Sequence, residues 1–154
     1  MVLDVVIYPD DRLETECAPI EEITEEVKQL AKDMVETMYA HDGIGIAANQ
    51  VGQMLRMLVI DISEDRDNPV TFINPQIIYA RGDAFSVKEG CLSFPGKEVE
   101  VIRADDVWVQ ALNIEGEDLR MRGTGLAAVV LQHEIDHLDG ITMEARAAMQ
   151  EIKE

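Results

Sequence analysis

Apolar residues recur at helical spacing in two segments of the chain. After Thr24, the apolar positions follow the i, i+3, i+4, i+7 spacing that places side chains on one face of a helix. These positions are Val27, Leu30, Ala31, Met34, Val35 and Met38. Thr24 is predicted to cap the start of this helix, and Gly43 is predicted to end it. A second helix is predicted to begin near Thr124 and Gly125 and to stop at Gly140, and we expect it to be buried because it is apolar nearly all round.

The other apolar runs have the composition of β-strands. Residues 57–62 predict a buried strand, and residues 71–79 predict a second strand in which Pro75 requires either a sheet edge or a bulge. Three shorter runs separated by turns are typical of an antiparallel meander, and they lie at residues 99–103, 107–113 and 118–122. Strands around one buried helix predict an α+β fold in which antiparallel β-sheets pack around that central helix.

Length and charge narrow the class of protein. A chain of 154 residues is predicted to form a single domain, residues 1–154. Its formal net charge of −18 opposes direct binding to nucleic acid or to an anionic membrane. No apolar run reaches the length of a membrane span, and the N-terminus lacks the basic start of a secretion signal. We therefore expect a cytoplasmic protein whose two cysteines, Cys17 and Cys91, are reduced.

The second predicted helix carries the strongest chemical signal, the sequence His-Glu-Ile-Asp-His at residues 133–137. Histidines four residues apart lie one turn apart on the same helix face, so His133 and His137 can point at one metal ion. Glu134 lies beside the first of them and can act as the general base on a water molecule bound to that metal. Such short patterns also arise by chance. The remaining histidine, His41, is predicted to cap the first helix.

A catalytic metal needs a third protein ligand and an open position for water. We favour Cys91, since a thiolate binds Zn or Fe in preference to Mg or Ca, and since glycine and proline bracket it in a short segment that we expect to be exposed. A tail carboxylate is a second candidate, from Glu144, Glu151 or Glu154. The non-functional alternative is that Cys91 is a small buried side chain. A Cys–His nucleophile pair is also conceivable, but it leaves one histidine and Glu134 without a role.

A glycine-rich segment, residues 43–52, has too much glycine for a stable helix or an ordinary strand. It lacks the third glycine and the lysine of phosphate-binding loops, so the pattern disfavours a nucleotide site. The alternative is a backbone that lies against a substrate, with the side-chain amide of Gln50 as a hydrogen-bond donor to an oxyanion.

Taken together, these segments resemble the peptide deformylase family. The family's G-x-G-x-A-A-x-Q motif is met by Gly43, Gly45, Ala47, Ala48 and Gln50. Its E-G-C-L-S motif is met in full by residues 89–93, and its Q-H-E-x-D-H motif is met by residues 132–137. The three motifs occur in the family's order and at about its spacing, and the resemblance extends from Ile7 to Gly140.

The resemblance implies an activity and the residues that perform it. Peptide deformylases are metal-dependent hydrolases that remove the formyl group, as formate, from the N-terminal formylmethionine of newly synthesised polypeptides. By this resemblance Cys91, His133 and His137 bind one divalent metal ion, usually Fe²⁺ in the family, with Zn²⁺, Ni²⁺ and Co²⁺ as the other candidates. Glu134 is then the general acid and base, which takes a proton from the metal-bound water and delivers it to the leaving amine.

The resemblance also implies the residues around the substrate. The Gln50 side chain and the backbone N–H of Leu92 would stabilise the oxyanion that forms when the metal-bound hydroxide attacks the formyl carbon. The residues beside the bound peptide would be Gly43, Gly45 and Glu89. The pocket for the methionine side chain would be formed by Ile44, Leu126, Val129 and Val130.

Two charged residues near these motifs have open roles. Arg103 is expected to pair with Glu89 and so hold the segment that carries Cys91. The alternative is a surface ion pair that contributes little. Asp136 either orients a metal ligand or faces solvent.

The chain departs from many family members at two places. Only Lys97 offers a cation where those members carry an arginine, and the tail ends 14 residues after Gly140, whereas they continue into a long helix. The short, acidic tail argues against docking on the ribosome.

We expect a monomer that acts on an N-formylmethionyl peptide or a nascent chain. An endopeptidase and a metal-binding module without turnover are the alternative functions, and Glu134 and Gln50 argue against the second.

Overall fold

The computed structural model describes residues 1–81 and 85–151, and in these ranges it contains three α-helices and seven strands. The helices are α1 (Glu25–Ala40), α2 (Leu126–Leu138) and α3 (Met143–Glu151). The strands are β1 (Gly45–Ala47), β2 (Met57–Ile60), β3 (Val70–Arg81), β4 (Phe85–Cys91), β5 (Phe94–Arg103), β6 (Asp106–Leu112) and β7 (Asp118–Thr124). Two short 3₁₀ helices span Asp11–Glu14 and Ala48–Val51. None of the helices in the described ranges has the length and apolar character needed to cross a membrane.

The strands form two antiparallel sheets, which confirms the predicted α+β class. The larger sheet has the order β1-β2-β3-β6-β7, and the smaller one is the β4-β5 hairpin. The predicted meander is therefore wrong for residues 99–103, which belong to β5 and pair with β4, from Phe85 opposite Arg103 to Gly90 opposite Glu98. Because the chain turns after Arg103, β6 leaves the hairpin and pairs with β3 instead.

Period-two alternation in β2 explains how the larger sheet is covered on both faces. Leu58 and Ile60 pack in a cluster with α2, whereas Met57 and Val59 pack in a second cluster with α1. The α1 stripe fulfils the sequence prediction, since its side chains fill that second cluster and the Thr24 hydroxyl accepts a hydrogen bond from Val27 N at 3.3 Å. The sheet is thus a central layer between two helices.

Pro75 is accommodated by a bulge, one of the two arrangements that the sequence allowed. The pairing of β3 with β6 shifts between Ile73 and Gln76, and Asn74 has a positive φ of 52°. The Asn74 side chain exchanges two hydrogen bonds of 2.8 Å with the backbone of Ile20. An edge position is excluded because β3 lies between β2 and β6.

The glycine-rich segment differs from its prediction, because it does contain a strand. Gly45 pairs with Ile60 and Ala47 pairs with Leu58, and the chain then turns through the second 3₁₀ helix. All three residues of β1 are buried. Pairing with β2 and burial of Ile46 and Ala47 outweigh the low strand propensity of glycine.

Helix α2 is buried along almost its whole length, as its sequence predicts. It starts after Gly125 and is followed by Gly140, which has a φ of 75°. On one side it packs against the larger sheet, and Gly123 of β7 allows the close approach because a Cβ there would lie 3.1 Å from the Ala127 backbone. On the other side it faces the β4-β5 hairpin. This central position brings the histidines of α2 next to the hairpin that carries Cys91.

The tail contains a helix that the sequence pattern did not indicate. Helix α3 lies against β5, where the Gln150 side chain makes hydrogen bonds of 2.9 Å with both the N–H and the carbonyl of Ile102. Met143, at its first position, is 1% exposed and belongs to a third apolar cluster with Leu13 and Phe94. Burial of Met143 at one end of this short helix, and hydrogen bonds of Gln150 near the other end, therefore attach the helix to the hairpin.

Candidate metal centre

Helix α2 and the β4-β5 hairpin bring three potential metal ligands together. His133 and His137 are one turn apart on α2, and their Nε2 atoms are 3.2 Å apart. Cys91 ends β4, and its Sγ lies 3.3 Å from His137 Nε2. All three ligand atoms lie within 4.8 Å of one another. Cys91, which is more than 40 positions away from both histidines in sequence, thus forms one compact group with them.

The spacing and the chemistry of these atoms fit a single metal ion. Tetrahedral coordination with ordinary metal–nitrogen and metal–sulfur bonds separates two nitrogens by about 3.3 Å and a nitrogen from a sulfur by about 3.6 Å. The observed separations, 3.2 and 3.3 Å, are close to these values. Two imidazoles and a thiolate are the donors of Zn, Fe, Ni or Co sites, whereas Mg and Ca prefer oxygen. These three residues could therefore hold one divalent transition-metal ion.

Glu89 fixes the ring of His133 from the side away from the metal site. Glu89 Oε1 lies 2.7 Å from His133 Nδ1, and both residues are buried. Burial by itself raises the pKa of Glu89, but hydrogen bonds from Arg103 and His133 outweigh it and lower this pKa to about 2. An ionised Glu89 accepts a hydrogen bond from Nδ1–H of His133, which leaves Nε2 of His133 free to coordinate a metal.

Arg103 pairs with Glu89, as expected from the sequence, and the pair is buried instead of lying at the surface. The Arg103 Nε and Nη2 atoms donate to the two carboxylate oxygens of Glu89 at 2.6 and 2.8 Å. Its Nη1 donates to Asp136 at 2.7 Å. The solvent-facing alternative for Asp136 is therefore wrong, because this carboxylate is buried between Arg103 and Arg146.

Glu134 lies beside the ligands with one carboxylate oxygen unpaired. It is 5% exposed, and burial raises its pKa to about 7. Among the residues that the structure describes, its Oε1 atom has no hydrogen-bond partner. A buried acceptor of this kind suits a carboxylate that exchanges a proton with a bound molecule.

Gln50 is held with its amide nitrogen toward the hairpin. Its Oε1 accepts a hydrogen bond from Ala47 N at 2.9 Å, so that Nε2 faces Ser93 Oγ at 3.2 Å and Cys91 Sγ at 3.4 Å. Ser93 was not predicted to be a site residue, although its position in the E-G-C-L-S motif could have identified it as one. The neighbouring Asn49 donates to the carbonyl of His137 at 2.7 Å and ties the glycine-rich segment to α2.

The segment around Cys91 is less exposed than predicted. It forms the tight turn of the hairpin, in which Ser93 is 0% and Phe94 is 3% exposed, while Cys91 is half-buried. Packing of Phe94 with Leu13 and stacking on Tyr8, with ring centroids 4.9 Å apart, cover this turn from one side. Burial holds the thiol in place beside the histidines.

A cleft of about 620 Å³ opens beside Cys91 and His133, two of the three ligand residues, and His137 lies behind its wall. The predicted substrate and catalytic residues in its wall are Gly43, Ile44, Gly45, Gln50, Glu89, Leu92, Leu126, Val129, Val130 and Glu134. Residues of the wall that the sequence did not indicate include His41, Asp42, Val87, Pro95 and Gly96. Cys91 and His133 also line the cleft, whereas Arg103 does not.

Further contacts bear on three other sequence expectations. The ring of His41 contacts the Thr37 carbonyl at 3.0 Å, in line with capping. Lys97 forms an ion pair with Glu144 of α3 and is absent from the wall of the cleft. Glu144 is therefore engaged away from the metal ligands, and the side chain of Glu151 and all of Glu154, the other tail carboxylates considered, lie outside the described part of the chain.

Comparisons with known proteins give a consistent result. The family model described as polypeptide deformylase matches residues 2–153. A peptide deformylase from Neisseria gonorrhoeae is 46% identical over 94% of this chain and 86% of its own length. The crystal structure of a peptide deformylase from Thermotoga maritima superposes with a TM-score of 0.90, at 36% identity over 95% of this chain and 97% of that one. A Synechococcus elongatus peptide deformylase in complex with actinonin also has a TM-score of 0.90, at 37% identity over 94% and 78% of the two chains.

Proposed function

The chain is an enzyme of the polypeptide deformylase family, and from this premise we propose that it hydrolyses the formyl amide of N-formylmethionyl peptides at the cleft beside Cys91, His133 and His137. One observation carries the proposal more than any other. The buried Glu134 lines this cleft close to three donors that suit one metal ion, and within the described part of the chain its Oε1 atom has no hydrogen-bond partner.

The metal in the proposal is a divalent ion held by the two imidazoles and the thiolate. Fe²⁺ is the expected ion, and Zn²⁺, Ni²⁺ and Co²⁺ are the alternatives that the donor set also suits. When bound, such an ion supplies a Lewis acid that lowers the pKa of water. Glu89 contributes by accepting a hydrogen bond from His133 Nδ1–H, so that Nε2 would be the coordinating atom.

Glu134 is the proposed general acid and base. Its carboxylate takes a proton from the attacking water and then delivers that proton to the amine of the departing methionine. Burial supports this role, since it raises the pKa of Glu134 to about 7, within the range where a carboxyl group both accepts and donates protons near neutral pH.

Gln50 and the backbone N–H of Leu92 are the proposed donors to the oxyanion. Negative charge develops on the formyl oxygen as water adds to the carbon, and fixed donors stabilise that charge more than they stabilise the substrate. The support for Gln50 is its orientation, because Ala47 N holds Oε1 and leaves the amide N–H groups facing the ligands.

The proposal assigns different parts of the cleft to the methionine side chain and to the peptide backbone. Val129 and Val130 of α2 are buried and line the cleft with Ile44 and Leu126, and this apolar set suits a methionine side chain. Gly43, Gly45 and Glu89 would lie along the peptide. A formyl carbon carries only hydrogen, so a narrow site can admit it and exclude an acetyl group.

The proposed setting is the cytoplasm, where residues 1–154 act as one catalytic domain on nascent chains or free formyl peptides. We propose a monomer, without direct contact to nucleic acid or membrane, since the net charge is −18. The same charge argues against attachment to the ribosome through the tail.

The experiment that tests the function is formate release from formyl-Met-Ala-Ser by the metal-loaded protein prepared without oxygen. Replacing Glu134 by Gln should lower kcat by at least about 10³-fold, because the proton carrier is lost. Metal content should stay at one ion per chain, since Glu134 is not a ligand.

Three outcomes would contradict the proposal. Full turnover by Glu134→Gln would remove the assigned role of that carboxylate. Cleavage of internal bonds in a formyl-free, N-terminally blocked peptide would indicate an endopeptidase. Stoichiometric metal binding without formate release from several formyl peptides would indicate a binding module.

A further inference from the structure

Arg146, on α3, is the outer end of a series of ion pairs that leads to the ring of His133. We infer that Arg146 is a positioning residue, which acts through Asp136, Arg103 and Glu89 to hold His133 in the orientation that metal binding requires. The inference rests on the ligands of the proposed function. It goes beyond that function because it assigns a role to α3, which lies outside the three sequence motifs.

The contacts in this series are continuous. Arg146 donates through Nη2 to Asp136 Oδ1 at 2.8 Å and through Nε to Asp136 Oδ2 at 3.2 Å. Arg103 joins the two carboxylates, since its Nη1 donates to Asp136 Oδ2 at 2.7 Å and its Nε and Nη2 donate to Glu89 at 2.6 and 2.8 Å. Glu89 Oε1 then contacts His133 Nδ1 at 2.7 Å. Each link contains a contact of 2.8 Å or less, which is short enough for a charge-assisted hydrogen bond.

Charge and burial make each link depend on the next. The side chain of Arg146 is 29% exposed, that of Asp136 is 11% and that of Arg103 is 3%. Two arginines balance two carboxylates along the series. Without Arg146, Asp136 and Glu89 would compete for the single guanidinium of Arg103. Because an unbalanced buried carboxylate is costly, we expect Arg103 to shift toward Asp136, which loosens the partner of His133.

Helix α3 has two other attachments to the hairpin that do not involve this series, and they supply matched controls. Gln150 binds the backbone of Ile102 through two hydrogen bonds, and Glu144 pairs with Lys97. The variants Gln150→Ala and Glu144→Ala therefore weaken the attachment of α3 while the pairing of Asp136 stays intact.

The test measures how fast the Co²⁺-loaded protein releases cobalt to a chromogenic chelator, together with the visible absorption of the bound cobalt. Arg146→Ala is expected to release cobalt about tenfold faster than the wild type and to alter the cobalt absorption bands. Arg146→Lys keeps the charge but loses the bidentate contact with Asp136, so we expect a rate of cobalt release between those of the wild type and Arg146→Ala. Glu144→Ala and Gln150→Ala should release cobalt at the wild-type rate.

The route through Glu89 is tested by combining variants. Glu89→Gln alone should also accelerate cobalt release. If Arg146 acts through Glu89, adding Arg146→Ala to Glu89→Gln should change the release rate little further, because the series is already interrupted.

Several results would overturn the inference. The first is a wild-type rate of cobalt release for Arg146→Ala. The second is an acceleration in both control variants that equals the acceleration in Arg146→Ala. The third is a double variant in which the accelerations of the two single variants multiply. If circular dichroism shows that Arg146→Ala does not fold, Arg146→Lys carries the same comparison. A wild-type chain that binds no cobalt would overturn the proposed function as well, so the two failures can be told apart.

Discussion

Gly45 determines where the carboxylate of Glu134 can lie. A Cβ atom at position 45 would be 2.7 Å from Glu134 Oε2 and 3.0 Å from Val130 Cγ1, both closer than normal van der Waals contact. The strand backbone at Gly45 has no positive φ, so the glycine is required by space and not by conformation. The absence of a side chain at this residue therefore leaves room for the Glu134 carboxylate next to the cleft.

Replacing Gly45 by Ala should reduce formate release because the added methyl group displaces the Glu134 carboxylate. We expect kcat/KM to fall about 10- to 100-fold, the scale of a small misplacement of a catalytic group. Metal content should not change, since the three atoms nearest to the added methyl group belong to Glu134 and Val130, which are not ligands. Steady-state kinetics and metal analysis on the same sample check this expectation, and wild-type kcat/KM would contradict it.

At the level of elements, a carboxylate at the end of β2 organises the loop that follows it. Asp61 accepts hydrogen bonds from Ser63 and Asn68 of the loop and from the hydroxyl of Tyr39 on α1. Arg66, in the same loop, lies over the Tyr39 ring at 5.5 Å and donates to the carbonyl of Gly43. This loop thus contacts the glycine-rich segment beside the cleft.

Asp61 should make stability depend on pH in the acid range. Burial by itself raises the pKa of Asp61, but its hydrogen bonds outweigh burial and lower this pKa from 3.8 to about 2. A lowered native pKa means that the ionised form stabilises the fold, fully above about pH 4 and less as pH falls toward 2. Asp61→Asn should therefore cost about 2 kcal/mol at pH 7, and about half of that difference should be gone by pH 3.

Urea unfolding of the wild type and Asp61→Asn at pH 7, 5 and 3 measures this change. Asp65→Asn, an exposed carboxylate in the same loop, is the control and should alter stability by less than about 0.5 kcal/mol at each pH. A stability difference between the wild type and Asp61→Asn that stays constant down to pH 3 would exclude the proposed linkage.

On the scale of the whole molecule, the proposed metal site joins the β4-β5 hairpin to α2. Its ligands come from the hairpin and from α2, and the Arg103 ion pairs run between the same two elements. An ion that binds the folded chain and not the unfolded chain stabilises the fold, by about 2.7 kcal/mol when its concentration is 100 times Kd.

Removing the metal should lower the thermal stability of the protein. For a chain of this size the loss corresponds to a decrease in Tm of about 5–10 °C. Differential scanning calorimetry with and without a chelator measures it, and added Zn²⁺ should restore the original Tm. His137→Ala, which lacks one ligand, should show a much smaller response to chelator. Equal Tm values for the loaded and stripped wild type would refute this link between metal and fold.

Local patterns were sufficient to predict the features that depend on neighbours in the chain. The i, i+4 spacing placed His133 and His137 on one helix face, and threonine before an apolar stripe placed the start of α1. Helical and strand periodicity also gave the α+β class. These features follow from backbone geometry within a few residues, so no tertiary information was needed.

The family motifs extended the prediction to residues far apart in sequence. The chemistry of a thiolate favoured Cys91 over a tail carboxylate as the third ligand, and the match to a known motif then supported the choice of Cys91. The structure then brought Cys91 Sγ to 3.3 Å from His137 Nε2. Such a contact arises from how the hairpin packs on α2, which no local pattern specifies.

The tertiary structure alone decided which elements pair and which charges meet. Residues 99–103 have the pattern of a meander strand, yet they pair with β4 because strand patterns do not identify partners. The helix of the tail, and the contact of its Arg146 with Asp136, likewise depend on packing between elements distant in sequence. The sequence by itself thus determined the chemical groups of the site and the class of the fold. Only the folded chain determined the buried ion pairs that orient those groups, because their energies arise from burial and from contacts between distant segments.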